Sequence, residues 1–223
     1  MNIGVLGSGI VGQTVGGKLA ELDHSVVLGT RDPANVDEKK GYAPSLGEWL
    51  AGAGPKARLG TFAEAAAHGE VVVNALQGLV SVEVLQPLAA TLDGKLLIDI
   101  SNPLDFSRGM PPAVLTYEGG ASLAEAIQRA LPGARVVKTL NTLTASLMVN
   151  PRQLAGGDHS VFISGDDAAA KVQAVELLRS FGWRDIIDMG GLVSARGAEM
   201  ILPIWLQLFG TFGQPLYNFK IVR

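Results

Sequence analysis

Residues 1–33, MNIGVLGSGIVGQTVGGKLAELDHSVVLGTRDP, decide the fold. An apolar run at Asn2–Leu6 leads straight into Gly7-Ser8-Gly9-Ile10-Val11-Gly12, a G-x-G-x-x-G. In that pattern the first glycine permits the tight turn out of a strand and the second lets the backbone approach a pyrophosphate. The third lets the following helix pack close to the strand. Ile10, Val11, Val15, Leu19 and Leu22 then recur at helical spacing, and a second apolar run, Ser25–Leu28, arrives at the distance a βαβ unit requires. The phosphates of a dinucleotide would rest on the free N–H groups at the helix start, within Gly7, Ser8, Gly9, Ile10, Val11 and Gly12.

The end of the second strand selects the dinucleotide. A carboxylate there would hold the ribose hydroxyls of NAD and repel an extra phosphate. This chain carries Gly29, Thr30 and Arg31 instead. A hydroxyl beside a permanently charged, fork-shaped guanidinium suits a 2′-phosphate, so the expected cofactor is NADP(H). The competing reading pairs Arg31 with Asp32 on the surface. Lys39 and Lys40 follow, and a lysine pair of this kind is ordinarily solvated surface.

Composition supports a well-buried globular fold. The 223 residues are 48% hydrophobic and 17% charged, a balance that excludes a disordered chain. A net charge of −3 gives no bulk attraction to nucleic acid or acidic membranes, so neither is an expected partner. The chain has no cysteine, which removes disulfides, thiolate catalysis and cysteine-ligated clusters. The N-terminal apolar run is needed as the strand before the glycine turn, and the longest apolar stretch, MILPIWLQLFG, is too short to span a bilayer. A cytoplasmic protein is expected.

Further strands are expected at Arg58–Leu59, Val71–Leu76, Lys95–Ile100, Val136–Leu140, Ser160–Ser164 and Asp185–Asp188. They are short continuous apolar runs, the pattern of strands covered on both faces. Helices alternate with them, three opened by capping boxes at Ser45/Glu48, Thr61/Glu64 and Ser122/Glu125, and another expected from Ala168 to Phe181. This rhythm specifies an α/β chain with a doubly wound parallel sheet, a Rossmann fold. Ser101–Gly120, rich in proline, glycine and turn residues, interrupts it as a long and therefore functional loop. A Rossmann domain over 1–135 and a smaller C-terminal α/β part over 136–223 are expected. The latter ends in one long apolar helix from about Val193 to Phe212. That helix needs cover on nearly every side, and its terminal position points to a homodimer formed through it.

The motifs GSGIVGQTVGGKLAELDHSVVLGTRDP, SRG at Ser107–Gly109, ISGDD at Ile163–Asp167 and the SAR…E…LP opening of the last helix resemble the deazaflavin (coenzyme F-420)-dependent NADP oxidoreductases. The likeness covers essentially the whole chain. KTLNTLTA, Lys138–Ala145, is similar to the related NADPH-dependent reductase domain of the STEAP metalloreductases. The resemblance implies hydride transfer between NADP(H) and a deazaflavin or flavin-like ring held between the Rossmann part and the C-terminal part. It further implies that Leu76, Gln77, Ser101 and Asn102 flank the dinucleotide, with Asn141 and Thr142 near the nicotinamide. The chain departs from the archaeal members at Asn141, where they carry His.

No catalytic acid or base can be assigned from the sequence, and hydride transfer between two rings depends on stacking and position more than on proton transfer. His24, His68 and His159 are scattered without metal-ligand spacing and read as structural, so no metal site is expected. Asp166 and Asp167 read as a helix N-cap, and Trp205 as packing. Arg108 and Arg196 are candidates for an anionic acceptor. Two other readings stay open. One is an NADPH-dependent reductase of another small molecule, of the hydroxyacid or imine type. The other is a non-catalytic NADPH sensor.

Overall fold

The structure is a computed structural model that describes every residue except Glu38 and Lys40, and Glu118 by its backbone alone. The apolar runs form β1 (Asn2–Leu6), β2 (Ser25–Thr30), β3 (Ala57–Thr61), β4 (Val71–Asn74) and β5 (Leu96–Asp99). After β6 (Leu104–Asp105) and β7 (Ala113–Val114) come β8 (Arg135–Thr139), β9 (Ser160–Gly165) and β10 (Asp185–Asp188). Eight of these make one sheet in the order β10-β9-β8-β5-β4-β1-β2-β3, while β6 and β7 pair only with each other inside the long loop. The strand order reverses between β1 and β4. In open α/β sheets that crevice is where ligands bind, beyond the strand C-termini.

Every neighbour in the large sheet is parallel except β8 and β9, which run antiparallel. The fold is thus the Rossmann architecture expected, with one reversal. The division anticipated at residue 136 falls just inside β8, which continues the ladder of β5 from Arg135 to Lys138.

The helices are α1 (Ile10–Glu21), α2 (Leu46–Ala53), α3 (Phe62–His68), α4 (Gly78–Leu85), α5 (Ala89–Leu92) and α6 (Leu123–Ala130). They are followed by α7 (Ala145–Val149), α8 (Ala168–Ser180), α9 (Ala195–Met200) and α10 (Leu202–Phe212). They bury two cores, one on each face of the sheet. Ile3, Val5 and Val73 face one with Leu19, Trp49 and Leu147, and Leu6, Val27 and Val72 face the other with Leu85 and Ile127. All three predicted capping boxes are present, with each Ser or Thr side chain accepting from the Glu amide three residues on and each Glu reaching back.

The single final helix expected over about Val193–Phe212 is corrected by the structure. A short 3-10 turn at Leu192–Ser194 leads into α9, and the chain breaks at Ile201 before α10. Pro203 supplies the reason: it has no N–H for the ladder and its ring conflicts with the carbonyl four residues back. Ile204 and Phe212 on α10 are half exposed. Among the described residues no helix is long and apolar enough to cross a membrane.

Candidate functional site

The glycine turn has the geometry its sequence requires. Gly7 sits at φ 115°, a region that side-chain-bearing residues avoid. A Cβ at Gly12 would lie 1.8 Å from the Gly7 carbonyl oxygen, so the helix can pass this close only with glycine there. A Cβ at Gly9, by contrast, would meet nothing within 4 Å. The space in front of Gly9 is open, which is the room a pyrophosphate needs. α1 has no side-chain cap and no acidic residue in its first turn, so the helix itself supplies no anion to its N-terminal amides.

Two adjoining hollows run along the strand C-termini from this turn. The first, of about 440 Å³, is lined by Gly7, Ser8, Gly9, Arg31, Phe62 and Val84 among others. The second, of about 610 Å³, is lined by Ile10, Val11, Tyr42, Ser101, Asn102, Phe106, Leu143 and Met148 among others. Gly9, Ala75, Leu76 and Gln77 border both, making them one continuous cleft at the switch point of the sheet. A larger hollow of about 830 Å³ between α1, α2 and Phe181 contains none of the expected site residues.

Arg31 reaches the first hollow. Among the described residues it makes no ion pair with Asp32, whose carboxylate accepts the Ala34 amide at 3.1 Å instead. Thr30 does not line the cleft. It is buried, and its hydroxyl accepts from Ser8 Oγ at 3.0 Å, tying the glycine turn to the second strand. Lys39 lies near Glu48 at 3.5 Å on the surface, and Lys40 lies outside the described residues.

At the other end, Ser101 and Asn102 line the cleft but Asn141 and Thr142 are buried behind it. Asn141 nonetheless acts on that wall. Asn102 Nδ2 donates to the Asn141 carbonyl at 2.7 Å, and Asn141 Nδ2 donates to Asn102 Oδ1 at 3.0 Å and to the Ala198 carbonyl at 3.0 Å. The preceding residue, Leu140, is buried at φ 60°, a conformation rare for a bulky side chain and held only where its surroundings impose it. Gly78 completes the close fit, since a Cβ there would lie 2.1 Å from the Asn102 carbonyl oxygen.

Behind this wall lies a charged cluster that reading the sequence for sites did not single out. Lys138 is 1% exposed, and its ammonium touches Asp99 Oδ2 at 2.8 Å, Glu199 Oε1 at 2.9 Å and the Ser101 carbonyl at 2.6 Å. Burial pushes the Lys138 ammonium down, but Asp99 and Glu199 outweigh it and hold the group above its ordinary value. Glu199 also accepts the amides of Leu123 and Ala124 at the start of α6. Burial, then Glu199 and Asp99, push the nearby Tyr117 phenol up. The available signal was a lysine inside an otherwise apolar strand, VVKTL, with a carboxylate inside another, LLIDI.

The remaining candidates fall outside the cleft. Arg196 donates twice to Glu125, at 2.9 and 2.7 Å. That pairing draws the Glu125 carboxyl down to about 2. Arg108 lines neither hollow. Asp167 caps α8 through the Ala170 amide, whereas Asp166 accepts from Leu192. His24 lies by the N-terminal amine, His68 by Ser25, and His159 by the Pro151 carbonyl and Asn218. Trp205 stacks on Phe209. No cluster of metal-ligating side chains occurs among the described residues.

A glycine turn at the switch point of a doubly wound sheet, opening onto a cleft along the strand ends, places the chain in the dinucleotide-binding Rossmann class. Residues 2–103 match the family described as NADP oxidoreductase, coenzyme F420-dependent. The crystal structure of a candidate F420-dependent NADP reductase from Arthrobacter sp. FB24 shares 52% identity. It superposes with a TM-score of 0.93, covering 100% of each chain. The F420-dependent NADP reductase of Methanothermobacter marburgensis is 29% identical over 93% of this chain and 92% of its own. The metalloreductase STEAP3 of Rattus norvegicus is 32% identical over 91% of this chain, which spans 37% of STEAP3's length. The chain belongs to the coenzyme F420-dependent NADP oxidoreductase family, and so among the NADP-linked oxidoreductases.

Proposed function

We propose that the protein transfers a hydride between NADP(H) and a deazaflavin (coenzyme F-420) or flavin-like ring. One observation carries this reading. The second hollow, continuous with the glycine turn, is walled by Ile10, Val11, Ile100, Leu104, Phe106, Leu143 and Met148, and no carboxylate, lysine, arginine or histidine lines it among the described residues. Hydride passing between stacked rings needs apolar walls and fixed geometry. Reduction of an imine, or of a keto acid to a hydroxyacid, needs a proton donor at the reacting atom. Among the described residues that wall offers only the Tyr42 phenol and the Ser101 hydroxyl, the latter already donating to Asp99.

In this reading Gly7 shapes the turn with its own amide on the Gly29 carbonyl. The N–H groups from Ser8 through Gly12 hold the pyrophosphate, Arg31 takes the 2′-phosphate, and Thr30 secures the turn through Ser8. Leu76, Gln77, Ser101 and Asn102 flank the nicotinamide half, with Asn141 and Thr142 supporting them. When bound, NADPH supplies the hydride that the acceptor ring takes up. The chain's own contribution is to orient both rings and exclude water. The division at residue 136 becomes one of role: the first part holds the nucleotide, and the C-terminal part closes the acceptor side and makes a homodimer through α10. A cytoplasmic setting, where both soluble cofactors are at hand, belongs to the same reading.

The test is NADPH oxidation by the purified protein with F-420 and, in parallel, FMN. Rapid turnover with F-420 is expected. Turnover with FMN alone would move the acceptor to the flavins, and tight NADPH binding with no turnover on either would favour the sensor reading.

A further inference from the structure

We propose that Lys138 is a positioning residue for the nicotinamide end of the cleft: its buried ammonium fixes, from behind, the two strand-end segments 74–77 and 99–102. The inference rests on reading the cleft as an NADP(H) site.

The sheet ladder ends just below the cleft. Its last link between β4 and β5 is the Ile100 amide on the Asn74 carbonyl at 3.1 Å. Beyond it, Ser101 and Asn102 would be held by no neighbouring strand. Lys138 replaces the missing ladder by donating to the Ser101 carbonyl at 2.6 Å. Asp99 holds the same residue from the other side, its Oδ1 accepting the Ser101 amide at 3.1 Å and the Ser101 hydroxyl at 2.6 Å. That oxygen also accepts from Asn74 Nδ2 at 2.9 Å, and Asn74 Oδ1 accepts the Leu76 amide at 3.3 Å. One unbroken hydrogen-bonded chain thus runs from Lys138 to both Ser101 and Leu76, two residues of the cleft wall.

Stability is a poor reason for this arrangement. Two carboxylates and an ammonium out of water cost more than an apolar filling of equal volume, and such clusters are commonly replaceable without loss. What a fully satisfied polar network provides is a single geometry. All three ammonium protons have acceptors, and Glu199 adds the start of α6 to the same network. The wall is therefore set before a ligand arrives.

Full-length Lys138→Met is titrated with NADPH and with 2′,5′-ADP, which probes the adenosine half alone, and its NADPH oxidation is followed. The expected result is a 2′,5′-ADP affinity within about twofold of the wild type, an NADPH affinity weakened at least tenfold, and a lowered kcat. Affinities for both ligands unchanged from the wild type in a folded variant, or equal weakening of both, would overturn the proposal. If the variant does not fold, hydrogen exchange on the unaltered protein decides. Peptides covering 74–78 and 99–103 should be protected without NADPH and gain little with it, whereas exchange at loop rates overturns the inference. Wild-type protein that binds neither ligand would sink the cofactor reading itself, and this inference with it.

Discussion

At the scale of single residues, the two ends of the glycine motif have opposite requirements. Gly12→Ala drives a methyl into the Gly7 carbonyl and should lower the melting temperature sharply, whereas Gly9→Ala meets no protein atom. We expect the Gly9 variant to keep the wild-type melting temperature yet lose most NADPH affinity, because the methyl occupies pyrophosphate space; unchanged binding would remove Gly9 from the site. Arg31→Ala should weaken NADPH by roughly ten- to a hundredfold, the worth of a charge-assisted hydrogen bond, and leave NADH nearly unchanged. Titration with both nucleotides checks it. Gly7, Gly9, Gly12 and Arg31 were legible in the sequence because local spacing alone places them. The inward turn of Thr30 was not, since it depends on a hydroxyl 22 residues away. Nor was Lys138 with its partners, which only the strand order brings together.

At the scale of elements, local chemistry again marks what could be read. The three capping boxes each lie within four residues and all formed, and β10 runs from Asp185 to Asp188 as the apolar run indicated. The break in the last helix follows from Pro203, whose effect was outweighed in the sequence by the long apolar run around it. α9 is docked on α6 by the Arg196–Glu125 pair, which gives a pH signature. Arg196 holds the Glu125 carboxyl at about 2 in the folded protein against an ordinary 4.5. The stability this brings is complete above the higher value and is lost as pH falls toward the lower. Arg196→Gln should therefore be less stable than the wild type at pH 7, with the gap closing between about pH 4.5 and 2. Urea midpoints across that range measure it, and a gap independent of pH would show the pair to be incidental.

At the scale of the whole molecule, the parallel sheet was legible and its one reversal was not. Apolar runs of this kind carry no direction. β9 and β10 are joined by the thirteen-residue α8 and run parallel, while the link from β8 to β9 contains only the five-residue α7 and short turns, and the chain returns antiparallel. The same scale carries the question of assembly. Ile204 and Phe212 leave an apolar strip of α10 exposed, alongside Met200 at the end of α9. Sedimentation at micromolar concentration should show a dimer, and Phe212→Asp should shift it toward monomer; a wild-type monomer would end the dimer reading.

The acidic cap on α6 comes from a residue 76 positions downstream of Leu123. A chain made on the ribosome presents the glycine turn and its two strands early, and the carboxylate of Glu199 long afterwards. Contacts of such separation form late, because the intervening chain must be closed before they reward it. A nascent chain halted before α9 would hold the glycine-turn side of the cleft with the opposite wall still lacking the Glu199 anchor. The moment of completion is thereby set by synthesis itself: the wall that α6 supports gains its last anchor only after α9 has been made.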